Sequence, residues 1–217
     1  MDSGTLPPIT SQPNSGYGLG SSPPGAPGSG GEVTVRNLTN TSEDCAFAGR
    51  LCVEGFRSKM VHATSEEALP KLMKGFGKMF ETQDPGFFEN YYIAEYRNEK
   101  AGLMVVKYHD TPPEKLMCMI ITLTIPVPKQ TCMVDCIAVE DKFRGKGIGK
   151  ILLDRAEFDA KKRNCNTMML YVMTTNRAVH LYERQGYEIK GSKCCCMKCA
   201  TGESVRYQFL LSASSAH

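Results

Sequence analysis

Apolar and polar positions alternate first at VTVRNL (33–38), where Val33 and Val35 are separated by Thr34 and Arg36, and this predicts a strand. Thr41 or Ser42 can then cap a helix that carries Glu43 and Asp44 in its first turn. Ala46, Phe47, Leu51, Val53 and Phe56 extend a loose helical stripe to about Met60. A second helix is predicted from Ser65 to about Phe80, with Glu66 and Glu67 at its start and Pro70 in the first turn, where proline is tolerated. DPG (84–86) reads as a turn, NYYIAEY (90–96) and AGLMVVKY (101–108) as a hairpin around RNEK (97–100).

Further along, DTPPEK (110–115) is a loop, followed by a β-branched apolar run of strand character that Pro126 and Pro128 end. CMVDCIAV (132–139) is a strong strand. IGKILLDRAEFDAKKR (148–163) is a helix with Ile148, Ile151, Leu152 and Ala156 on one face. Its outer face offers the i,i+4 pairs Glu157–Lys161 and Asp159–Arg163, and its basic end complements the helix dipole. TMMLYVM (167–173) is the next strand, Asn176 caps a short helix to about Gln185, and Gly186 ends it. YEIKG (187–191) and SVRYQFLL (204–211) close the chain as strands. This order predicts an α/β (α+β) domain, a mixed sheet with helices on both faces.

Composition bounds the rest. The 217 residues suffice for one domain plus a tail, and 41% apolar content supports a packed core. Residues 1–31, rich in Pro, Gly and Ser, read as a disordered tail, leaving 32–217 as the domain. A net charge of +3 is too mild to make nucleic acid the expected partner. The N-terminus lacks an apolar signal core, and LMCMIITLTI (116–125) is about half of the ~20 residues that span a bilayer. The expected location is the cytoplasm or nucleus. There the ten cysteines are reduced and the sequons at Asn37 and Asn40 stay unmodified.

Between the strand at 132–139 and the helix at 148–163 lies RGKGIGK (144–150), with three glycines and three basic residues. A nucleotide phosphate loop would need glycine where Arg144 stands and a hydroxyl residue where Ile151 stands. A dinucleotide fingerprint would need glycine at Lys150 and an acidic residue near the end of 167–173. Both fail. What remains is a strand running through a glycine turn into a helix, whose free first-turn N–H groups and positive dipole end favour an anion. Gly147 and Gly149 would let the backbone approach that anion closely, and Arg144 and Lys146 add charge. This is a diphosphate cradle that requires no metal.

R-x-x-G-x-G within IAVEDKFRGKGIGKILL (137–153) resembles motif A of the GNAT superfamily of N-acetyltransferases, and NRAVHLYERQGY (176–187) matches a second stretch at family-like spacing. The resemblance is strong over 132–189 and extends over 32–217. It implies a mostly antiparallel central sheet and acetyl-CoA as co-substrate. Ile137, Ala138 and Val139 would meet the pantetheine arm like an added strand, and Arg144, Gly145, Lys146, Gly147, Ile148 and Gly149 would hold the pyrophosphate. Asn176 would bond near the pantetheine, and Tyr182 would protonate the leaving thiolate. Two positions depart from the family pattern: Asp141 stands where many members have Pro, and Tyr171 stands where members acting on protein N-termini often have Glu.

For the general base, Asp135 is the first candidate, because it lies two residues before Ile137 and alternation would put both side chains on one face. His109, Glu54, Tyr171 and solvent are the alternatives. CCCMKC (194–199) reads as reduced thiols; a zinc site would need a second ligand pair, for which Cys132 and Cys136 are the close pair available elsewhere. Two functions stand side by side: an N-acetyltransferase acting on a primary amine of unspecified class, and a non-catalytic coenzyme A-binding or protein-interaction module on the same fold.

Overall fold

In the computed structural model, which describes residue 23 and residues 32–57, 60–61, 64–111, 126–173, 176–193 and 205–209, the apolar runs become one sheet. Its strands are β1 (Val33–Asn37), β2 (Tyr91–Tyr96), β3 (Glu99–Lys107), β4 (Thr131–Val139), β5 (Thr167–Met173), β6 (Glu188–Lys193) and β7 (Val205–Phe209). The spatial order is β1-β2-β3-β4-β5-β7-β6. Every neighbouring pair is antiparallel except β4 and β5, which run parallel. The helix that joins those two strands must therefore cross over one face. The tail 1–31 apart from residue 23, the strand-like run before Pro126 and the cysteine cluster 194–199 lie outside the described residues.

Helices α1 (Ser42–Gly55) and α2 (Leu69–Phe80) cover one face, and α3 (Ile148–Lys162) and α4 (Val179–Arg184) the other. Leu51, Val53, Phe76 and Phe80 pack on Ile93, Leu103 and Val105 to form the first core layer. The second is built by Ile148, Leu152, Leu153 and Ala156 on Ala94, Met104, Val106 and Leu170. Strands buried on both faces read as continuous apolar runs, as 132–139 does.

Thr41 caps α1 by accepting the Asp44 N–H at 3.3 Å. That helix ends at Gly55, and after Phe56 helical backbone resumes at Arg57, Met60 and Val61, so the expected run to about Met60 is broken rather than cut short. Residues 66–68 form a 3₁₀ turn before α2, and DPG opens a second one at Pro85–Phe88. The hairpin turn shrinks to Arg97 and Asn98, both left-handed (φ 49° and 67°), so β3 begins at Glu99. Gly49 and Gly77 let α1 and α2 touch, since a Cβ on Gly49 would stand 2.4 Å from the Gly77 nitrogen.

Candidate active site

β4 carries a bulge. Val105 lies opposite Cys136 and Val106 opposite Val134, so Asp135 has no residue across from it on β3. The alternation of faces slips there. Cys132 and Val134 belong to the α3 core, Cys136 and Ala138 face α1, and Ile137 and Val139 return to the α3 side. β5 parts from β4 at the same place. Their pairing runs from Thr131↔Thr167 to Val134↔Leu170 and ends there, although β5 runs on to Met173 with β7 along its other edge. Beyond the bulge, no strand among the described residues lies beside β4 on its β5 side, so an edge of backbone groups borders an opening.

The chain leaves β4 through a short turn, Asp141–Phe143, and reaches the glycine stretch. Gly145 and Gly147 are left-handed (φ 78° and 76°), and a Cβ on either would meet no atom within 4 Å. Both thus border open space in a conformation that other residues adopt at a cost. Gly147 is the N-cap of α3 and no side chain caps the helix, so its first-turn N–H groups are left for an outside acceptor. The Arg144 guanidinium is 69% exposed and lies 2.6 Å from Asp141. Lys146 is exposed as well. The Ile148 side chain is core, which leaves only its backbone for a ligand. Gly149 has a different role from the one its spacing suggested: a Cβ there would stand 2.9 Å from Leu181 Cδ2, so the close approach it permits is to α4.

Tyr182 projects from α4 into the α3-side core and is 4% exposed. Its ring meets Tyr187 edge to face at 6.1 Å. Burial pushes its phenol well above the usual range, and the neighbouring Cys136 thiol adds to that, so it stays protonated at neutral pH. Gly186 (φ 83°) closes the helix and lets Tyr187 N–H reach the Tyr182 carbonyl at 3.0 Å. Asn176 stands before α4 rather than at its cap. Its Oδ1 accepts the Ala178 N–H at 2.9 Å and turns the chain away from β5.

The bulge overturns the shared face expected for Asp135 and Ile137. Asp135 Oδ2 lies 2.8 Å from Lys107 Nζ, and Lys107 falls on the α1 side with Leu103 and Val105, whereas Ile137 packs toward α3. Tyr171, one residue past the last β4–β5 pair, flanks the opening from β5. Glu54 is half-exposed and within 3.2 Å of Arg57. His109 follows β3 at the other end of β4. Cys132 and Cys136 face opposite layers and cannot hold one ion together, and among the described residues no three His, Cys, Asp or Glu side chains are grouped for a metal. No described helix is long and apolar enough to cross a membrane.

The family model described as the Acetyltransferase (GNAT) family matches residues 61–187, more than half of the chain. An uncharacterized N-acetyltransferase of Methanocaldococcus jannaschii is 26% identical over 121 residues, 55% of this chain and 53% of that protein. N-alpha-acetyltransferase 60 of Danio rerio is 29% identical over 112 residues, 49% of this chain and 46% of that protein. The chain thus spans about half the length of the curated relatives it matches. The solved PaiA N-acetyltransferase of Thermoplasma acidophilum, in complex with coenzyme A, shares the fold. Its TM-score is 0.55 at 15% identity, with 81% of this chain and 97% of that chain covered.

Proposed function

The chain belongs to the GNAT acetyltransferase family, and from that premise we propose that it moves an acetyl group from acetyl-CoA to a primary amine by direct attack in a ternary complex. One observation carries the reading: β4 and β5 part beside a left-handed glycine turn that opens an uncapped helix. The open edge at Ile137, Ala138 and Val139 accepts an extended arm as a strand would, and the turn at Arg144, Gly145, Lys146 and Gly147, with the first-turn N–H groups of Ile148 and Gly149, holds a diphosphate. Asn176 offers its remaining amide hydrogens at the β5 end. Acetyl-CoA, as co-substrate, supplies the activated thioester.

A backbone N–H of the open edge stabilises the charge that develops on the carbonyl oxygen. Tyr182, buried and protonated, gives a proton to the departing sulfur. Deprotonation of the amine falls to solvent, because the Lys107 ion pair holds Asp135, the first candidate, on the α1 side. The name of the Danio rerio relative puts a protein N-terminus first among acceptors to screen, before lysine side chains and small amines. Residues 1–31 are taken as a leader to the catalytic unit 32–217, and the working compartment as cytoplasm or nucleus.

The second reading, a non-catalytic coenzyme module, draws on Asp135 being held by Lys107. Calorimetric titration with acetyl-CoA, beside an Arg144→Ala plus Gly147→Asp control, tests the cradle; no binding by the unsubstituted chain rejects both readings. Tyr182→Phe then separates them. In an enzyme it lowers kcat by roughly 10²–10⁴ with little change in coenzyme affinity, whereas a chain that acetylates no amine and binds equally well with either residue is a module.

A further inference from the structure

Among the described residues, β4 past the bulge is paired from one side only. Val139, Ala138 and Ile137 pair with Gly102, Leu103 and Met104 of β3, and no described strand pairs with its β5 side. Such an edge presents its N–H and C=O groups in a fixed place only if something else braces it. α1 does so at two points. Its last turn lies on the strand at Gly55, where a Cβ would stand 3.3 Å from Ala138 Cβ and 3.6 Å from Cys136 Sγ. More than a turn earlier, the Arg50 guanidinium donates to the Glu140 carboxylate.

Glu140 is the joint between the open edge and the turn that leads to Arg144. Its N–H donates to the Ala101 carbonyl at 2.9 Å and its own carbonyl accepts from Phe143 N–H at 2.9 Å. The Arg50 bond is its third tie, made between residues 90 positions apart. Arg50 is itself well anchored: it follows Gly49, where α1 touches α2, and its guanidinium lies over the Phe47 ring at 5.4 Å from the centroid. Arg50 and Glu140 both line an open cavity of about 1260 Å³ between α1, α2 and the β2–β3 hairpin. That cavity takes no lining from β5 or α3, so the pair stands outside the cleft.

We propose that Arg50 is a positioning residue for the coenzyme: by clamping Glu140 from α1, it sets the strand edge Ile137–Val139 and the glycine turn in register for one ligand. The inference rests on the cleft being the coenzyme site. With side chains 41% and 18% exposed, the pair adds little to global stability, so its loss acts locally.

The test is calorimetric titration of the full chain with acetyl-CoA, unsubstituted and as Arg50→Met, Arg50→Lys, Glu140→Gln and the Arg50→Met plus Glu140→Gln double variant. Arg50→Met and Glu140→Gln each weaken binding by roughly threefold to tenfold. The double variant is no weaker than Arg50→Met alone, because Glu140→Gln leaves a neutral acceptor that only weakens the link Arg50→Met removes. Arg50→Lys recovers most of the affinity, since one guanidinium nitrogen makes the contact and an ammonium can replace it. Melting temperatures stay close to that of the parent. Equal affinity of Arg50→Met and the parent overturns the proposal alone, as do losses that simply add in the double variant. Should Arg50→Met fail to fold, unchanged affinity in Glu140→Gln overturns it. A parent chain that binds no acetyl-CoA overturns the coenzyme reading and this inference with it.

Discussion

Gly147 and Gly149 stand two residues apart in one motif, yet their alanine variants should fail in different ways. At Gly147, φ is 76°, a region that costs an L-residue roughly 1–2 kcal/mol. No atom lies within 4 Å of the added Cβ, so no clash increases that cost. The methyl group instead occupies the space in front of the uncapped α3 N-terminus. Losing one charge-assisted contact there is worth about 1.5–3 kcal/mol, or roughly a tenfold to hundredfold weaker Kd. At Gly149 the balance differs. Alanine gains about 1 kcal/mol in helix propensity. Against that, its Cβ meets Leu181 Cδ2 at 2.9 Å, the flexible tip of a side chain, at a cost of about 1 kcal/mol. Net stability is nearly unchanged, and because Leu181 precedes Tyr182 the strain reaches the proposed proton donor before the proposed anion site. Thermal unfolding and calorimetric Kd for acetyl-CoA, measured on both variants, decide. Gly147→Ala should melt a few degrees lower and bind poorly, while Gly149→Ala should melt close to the parent, bind well and turn over more slowly. A Gly149→Ala chain of parental stability that has lost as much affinity as Gly147→Ala would refute the division of roles.

Two further predictions concern the frame that holds the site. Gly49→Ala places a Cβ 2.4 Å from Gly77 N and 2.8 Å from its Cα, backbone that cannot swing aside, so it should cost about 3 kcal/mol in denaturant unfolding. Gly77→Ala, at 3.1 Å from Ala46 Cα, should cost less. Asp44 is 3% exposed at its side chain, and burial alone would raise its pKa. The hydrogen bonds from Arg36, Lys100 and Thr39 outweigh burial and hold the carboxyl well below the usual range. A folded-state pKa below the unfolded one means that the stabilisation is full above about pH 4, the ordinary carboxylate value, and fades as pH falls beneath it. Asp44→Asn should therefore lose about 3 kcal/mol at pH 7 and show a flatter decline between pH 5 and pH 2, checked by urea unfolding across that range.

What could be read from the sequence follows the range of the interaction responsible. β5 was legible to the residue at Thr167–Met173, and α3 nearly so, because periodicity, caps and the glycine turn are local signals. The Thr41 cap was legible for the same reason. Ties across the fold left no trace: nothing near Arg50 announces Glu140, and nothing near Gly49 announces Gly77. The bulge at Asp135 is the instructive failure. CMVDCIAV is apolar on both faces, since α1 and α2 cover one side and α3 the other, so its pattern has no period for an inserted residue to disturb. Counting two back from Ile137 therefore put Asp135 on the wrong face. The same insertion lies where the pairing of β4 with β5 ends, and that parting frees the backbone edge beside the glycine turn. The glycine turn and the helix it opens are local and could be read; the opening beside them depends on a register shift that only the paired strands reveal.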